Sequence, residues 1–137
     1  MNTKQTHQDF FGRWLEWGGR LALLALFLPA GIGKLVNLAG VSGLIASKGI
    51  PMPMAVAVFA ATFEIAASLA LLAGWRPRWT ALALAAFTVV AGLLFHDFWT
   101  VAEMQRMAQQ QAFFKNVGIA GGLLLLAARS PAASAQA

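Results

Sequence analysis

The chain has no cysteine, which excludes disulfides, thiol–disulfide relay chemistry and thiolate metal sites within it. Histidine is nearly as scarce. His7 and His96 are the only two, and His7 lies in a polar leader, so no metal or haem site built from protein ligands alone is expected. Charge is thin as well: 11% of the 137 residues are charged, against about 25% in ordinary soluble domains, while 59% are hydrophobic against about 45–50%. The ten basic residues outnumber the five acidic ones but never form a run, and no nucleic-acid partner is expected from so scattered a charge. On a membrane protein they report orientation and contact with anionic headgroups instead.

Nearly all the apolar residues fall in four blocks, at about residues 18–36, 52–74, 79–96 and 113–128. A span needs roughly 20 residues. The second and third blocks qualify outright; the first and fourth qualify with Arg20, Lys34, Lys115 and Arg129 snorkelling or facing inward. Trp14, Trp17, Trp75, Trp79 and Trp99 all sit at block ends, as an aromatic belt requires. The pattern predicts an all-α, integral membrane four-helix bundle in the lipid bilayer: a polar leader over 1–17, the membrane domain over 18–128, and a small, polar, disordered tail over 129–137. Asp9 and Glu16 in the leader, and the poor cleavage site at Leu28-Pro29-Ala30, favour a retained anchor over a cleaved signal.

Positive charge sets the expected orientation. One side holds Lys4, Arg13, Arg20, Arg76, Arg78 and Arg129, and the other Lys34, Lys48, Arg106 and Lys115, so both termini are placed in the cytoplasm. In the first outer loop Leu38, Val41, Leu44, Ile45 and Lys48 recur at helical spacing until Gly49 and Pro51 stop them, which predicts a short interfacial helix. The second outer loop, 98–111, is glutamine-rich, with Met104 and Met107 on one side, and predicts a further surface helix.

Each block also carries an ionisable residue on a face of small residues. Such groups cost roughly 2.5–3.5 kcal/mol in hydrocarbon and usually face a bundle interior or a wet cavity. Block one aligns Arg20, Leu23, Phe27, Ala30, Gly31 and Lys34; block two aligns Ala57, Ala60, Ala61, Glu64, Ser68 and Leu71. Block three aligns Arg78, Ala81, Ala85, Val89, Gly92 and His96, and in block four Lys115 lies over the Gly118-xxx-Gly122 pair. Small residues admit a neighbouring backbone, so Gly31, Ala57, Ala61, Gly92, Gly118 and Gly122 are expected at helix contacts. The polar stripes are expected to converge, with Glu64 near mid-membrane paired to Lys34 or Arg20, and with His96, Asp97, Lys115 and Asn116 near the outer end.

The pattern Arg20…Phe27…Gly31-x-x-Lys34, the loop Gly49-Ile50-Pro51-Met52-Pro53, Glu64, and Leu71-Leu72-Ala73-Gly74-Trp75-Arg76 resemble the bacterial DoxX family of small four-helix membrane proteins. So do the histidine closing block three and Phe114-Lys115-Asn116…Gly121-Gly122. The resemblance implies a multi-pass protein of the bacterial inner membrane, with Arg20, Lys34, Glu64, His96, Lys115 and Asn116 as the carried-over polar positions. It further implies a link to quinone-coupled oxidation of sulfur compounds or to oxidative-stress complexes. Four-helix quinone-dependent thiol oxidases share the outline, but their chemistry needs cysteines that this chain lacks.

The leading expectation is therefore an accessory subunit of a membrane redox complex, not an enzyme by itself. Its intramembrane polar site would comprise Arg20, Lys34, Glu64, His96, Asp97, Lys115 and Asn116, and would hold a quinone headgroup or small anion. No covalent cofactor is expected, and electrons would come from a redox partner protein. An oligomeric proton- or anion-coupled transporter, for which a homo-oligomer is the natural assembly, and an assembly factor with a static Glu–Lys pair are the alternatives.

Overall fold

The computed structural model describes the backbone of residues 3–130 and the side chains of residues 10–130. The expected disordered tail falls, beyond Ser130, outside the described residues. Among the described residues five helices run in chain order: α1 (Thr3–Val36), α2 (Leu38–Ser47), α3 (Pro53–Leu72), α4 (Pro77–Phe95) and α5 (Glu103–Arg129). No strand occurs among the described residues, and α1, α3, α4 and α5 are each long and apolar enough to cross a membrane. The chain is an all-α integral membrane protein. It divides into two compact units, residues 1–74 and 75–137.

Unit 1 is built from α1, α2 and α3. Helix α1 starts at Thr3, not at residue 18, because the leader contains no proline and its apolar residues keep the helical spacing of the span. It also runs through Pro29, which gives up one backbone donor and leaves the Ala25 carbonyl without its usual partner. Asn37 then caps α2, its Oδ1 accepting from the Gly40 N–H at 3.2 Å, and α2 packs on α3 and buries Ile45. The predicted helix over 38–48 is therefore present. Gly49 leaves it at φ +72°, in the left-handed region that glycine tolerates.

Proline opens both α3 and α4 at the first helical position, where its missing N–H would have had no partner in any case. The residue before each proline is non-glycine at positive φ, Met52 at +53° and Arg76 at +41°. Helix α3 turns Ala57, Ala61, Glu64, Ala67, Ser68 and Leu71 inward against α1. Five of these six belong to the stripe read from block two. On α1, Phe27 and Gly31 are buried in the same contact, and Arg20, Leu23, Ala30 and Lys34 are half-buried. Gly74, at φ +72°, closes α3 with its N–H donating to the Leu71 carbonyl.

Unit 2 is the α4–α5 hairpin, and two expectations change here. Helix α4 buries Thr80, Ala81, Leu84, Ala85, Thr88 and Gly92, while Arg78 and Val89 of the expected stripe are exposed. The inward face is rotated because threonine can join it: Thr88 Oγ1 donates to the Leu84 carbonyl at 2.7 Å and Thr80 Oγ1 to the Trp75 carbonyl at 3.0 Å, so neither hydroxyl is left unpaired. Second, the surface helix expected in the loop over 98–111 is the first part of α5 itself. Nothing between Glu103 and Gln111 stops a helix; glutamine, methionine, alanine and arginine all favour one, and Glu103 sits well in a first turn.

Candidate functional site

Two polar contacts stand out within unit 1, at different levels of the α1–α3 pair. At the first, Lys34 Nζ donates to Glu64 Oε2 at 2.6 Å. Glu64 is nearly enclosed, its side chain 6% exposed, whereas that of Lys34 is 29% exposed. Glu64 lies eleven residues after the first residue of α3 and eight before its last. At about 1.5 Å per residue it is about 16 Å and 12 Å from the two ends, close to mid-span.

The backbone explains why these two residues meet. Gly31 sits opposite Ala61, Glu64 and Ile65, so closely that a Cβ there would lie 2.9 Å from the Ala61 carbonyl oxygen and 2.7 Å from Ile65 Cγ1. That seat puts Lys34 one turn further along α1 than the level of Glu64. Cβ vectors lean toward a helix's own N-terminus. In an antiparallel pair, Lys34 leans back toward Glu64 and Glu64 leans forward toward Lys34, and the long lysine stem closes the gap.

The second contact holds Arg20 away from Glu64. Its Nη1 donates to the Leu71 carbonyl at 3.2 Å, its Nη2 pairs with Glu16 one turn earlier, and its guanidinium lies 5.8 Å from the Trp17 ring centroid. A cation at the C-terminal end of α3 is well placed for the helix dipole. Arg20 Nε is buried without a hydrogen-bond partner among the described residues. Of the two partners left open for Glu64 by the sequence, the structure takes Lys34. Glu16, treated as leader, is a partner the sequence analysis missed; its i, i+4 spacing to Arg20 was the signal.

In unit 2 the polar residues do not gather at one point. His96 Nδ1 bonds Gln109 Oε1 at 2.9 Å, across the turn between α4 and α5. Asp97 accepts from Thr100 Oγ1 at 2.6 Å. Asn116 packs at Gly92, where a Cβ would meet its side chain at 3.4 Å. Lys115 is exposed and has no hydrogen-bond or ion-pair partner among the described residues. Gly118 and Gly122, expected at a helix contact, are open, with nothing within 4 Å of a Cβ. The contact with α4 instead buries Ala120, Leu123 and Ala127, and residues two apart on a helix point to opposite sides. Gln109 was missed because its face emerges only when α5 is one helix, which puts Gln109, Asn116, Ala120, Leu123 and Ala127 on one stripe.

All five tryptophans are exposed on the surface of their unit. Phe98, Trp99, Phe113 and Phe114 form a cluster beside the α4–α5 turn, with ring centroids 5.1 to 6.1 Å apart. Outward aromatic residues at helix ends, and four helices among the described residues that are long and apolar enough to cross a membrane, define a multi-pass helical membrane protein.

The model of the DoxX family matches residues 17–97, and the chain belongs to that family. It is similar to the inner membrane protein YphA of Escherichia coli K12, with 32% identity over 114 residues covering 83% of this chain and 81% of the relative. It is likewise similar to the inner membrane protein YqjF of Escherichia coli K12, with 34% identity over 117 residues covering 83% and 82%. No solved structure matches the chain significantly. The protein is a multi-pass protein of the bacterial inner membrane. The family match takes in Arg20, Lys34, Glu64, His96 and Asp97 and ends before Lys115 and Asn116.

Proposed function

We propose that the protein is an accessory subunit of a membrane redox or oxidative-stress complex, and that Lys34 and Glu64 form its site for a quinone headgroup or a small anion. One observation carries the site: the Lys34 ammonium spends one donor on Glu64 and is the more open partner of the pair, side chain 29% against 6% exposed. An ammonium has three N–H donors and no acceptor, and an unmet donor in hydrocarbon is costly. A quinone carbonyl or oxyanion supplies the missing acceptor. Glu64 holds the lysine in place and keeps the pair close to neutral, so a neutral headgroup is not repelled. With no cysteine and no recognisable cofactor motif in the chain, electrons are drawn from a partner protein.

A second reading rests on Gly31. The close seat of α1 on α3 positions both side chains by packing, as a static structural pair would require. Mass spectrometry of small molecules copurifying with gently solubilised wild type and Glu64→Gln separates the two, once the variant matches wild type in thermal stability. A quinone or anion carried by wild type and lost from Glu64→Gln supports the ligand site. Bulk phospholipid alone in both, together with full function of the charge swap Lys34→Glu/Glu64→Lys, supports the static pair. A pH-dependent proton or anion flux in liposomes, abolished in Glu64→Gln, would instead identify a transporter.

A further inference from the structure

Helix α1, at 34 residues, is longer than its 20-residue membrane partner α3 by 14 residues. At about 1.5 Å per residue, the 20 residues of α3 match a hydrocarbon core of about 30 Å, whereas the 34 residues of α1 run for about 51 Å. The hydrogen bond from Arg20 to the Leu71 carbonyl fixes where α1 passes the end of α3. A straight α1 would therefore carry Trp14 about 9 Å and Phe10 about 15 Å beyond the hydrocarbon, past a headgroup layer of about 6 Å per leaflet. Both would stand in water.

Their surroundings argue against water. Phe10, Phe11, Trp14, Leu15 and Trp17 are 50–66% exposed, and at 100° per residue they share one side of the helix. Gly12, Arg13, Glu16 and Gly19 take the other side. Arg13 lies at the border, where it joins Phe10, Trp14 and Trp17 in lining a shallow groove. Aromatic residues beside an arginine complement a layer of phosphates over acyl chains, and the stripe is continuous with the membrane boundary marked by Trp17 and Arg20. Gly18 and Gly19 follow directly, and nothing lies within 4 Å of a Cβ at either, so packing does not require them to be glycine. Glycine pairs are places where helices bend.

We propose that in a bilayer α1, a continuous helix through Gly18–Gly19 in this structure, bends there and gives up the i, i+4 pair of Glu16 with Arg20, so that the segment before it lies along the headgroup region of the adjoining leaflet. Phe10, Phe11, Trp14 and Leu15 enter the lipid and Arg13 rests on the phosphates. The occupant of this apolar face is lipid.

The absence of cysteine allows a direct test on the full chain, reconstituted in vesicles of phosphatidylethanolamine and phosphatidylglycerol. Single nitroxide labels are placed at Leu15→Cys and Gly12→Cys, each variant first matched to wild type in its circular dichroism melt. Collision rates with oxygen, which favours lipid, and with a water-soluble nickel chelate present on both sides are then compared. The label at residue 15 is expected to collide several-fold more with oxygen than with the chelate, and the label at 12 to show the reverse. In a Gly18→Ala/Gly19→Ala background, the label at 15 is expected to shift toward the chelate. Equal chelate accessibility at 15 and 12 in vesicles overturns the proposal, and shielding of 15 in native membranes alone would identify a protein as the cover. A label at 15 that stays shielded in the double-alanine background overturns the bend.

Discussion

An ionised side chain left alone in hydrocarbon costs roughly 2.5–3.5 kcal/mol on insertion scales, and removing one partner of a buried pair costs about 3–5 kcal/mol. Lys34→Met leaves the nearly enclosed Glu64 without its ammonium and is expected to destabilise α1–α3 packing toward the lower end of that range, since Lys34 is itself partly open. Removing both charges is expected to recover most of the loss, because well-packed apolar replacements of ion pairs are often neutral. A double-mutant cycle on Lys34→Met and Glu64→Leu, followed by denaturant unfolding in mixed micelles, should return a coupling of about 1–3 kcal/mol. A coupling near zero would mean that the 2.6 Å contact contributes nothing to stability. Of the residues assigned to one polar site from sequence, Lys34 and Glu64 make a pair. Arg20 caps α3, His96 bonds Gln109, and Lys115 is exposed.

Close approach between helices is local, and the glycines grade it. Gly31→Ala places a methyl against a backbone carbonyl that cannot swing aside, and is expected to cost about 1–3 kcal/mol as overpacking does, weakening the Lys34–Glu64 contact with it. Gly92→Ala meets the Asn116 side chain at 3.4 Å, an ordinary contact, and should cost clearly less. Gly118→Ala and Gly122→Ala meet nothing in their unit and gain helix propensity, so they are expected to be neutral or to stabilise by up to about 1 kcal/mol. Thermal melts of the four variants in one detergent check the order. A Gly118 or Gly122 variant costing as much as Gly31→Ala would show that α5 uses a second face. The i, i+4 glycine spacing was legible in the sequence, but which way it faces was not, since α5 is apolar on several sides over its last 16 residues.

Across the whole molecule, the distribution of arginine and lysine predicts an orientation, and α5 offers a way to test it. Both chain ends are expected in the cytoplasm, so Gln110→Cys, within α5, and Ser130→Cys, at the residue that caps its C-terminal end, should lie on opposite sides. In intact cells stripped of outer membrane, an impermeant maleimide should label Gln110→Cys at once and Ser130→Cys only after lysis. The reverse pattern would invert the orientation.

Composition and spacing alone determined the membrane class, the four spans, the short helix after α1 and the buried stripe of α3. These follow from burial of apolar side chains at a period of 3.6 residues, which leaves its mark in any one helix. The same logic located Lys34 and Glu64 on inward faces. Only tertiary structure decided that Glu64 takes Lys34 and not Arg20. That choice depends on the register of α1 against α3, set by the seat of Gly31 and by the opposite lean of side chains on antiparallel helices. It also decided the rotated face of α4 and the bond between His96 and Gln109. A threonine that satisfies its hydroxyl on its own helix can pack like an apolar residue, and a glutamine 13 residues away meets the histidine only because α5 begins at Glu103.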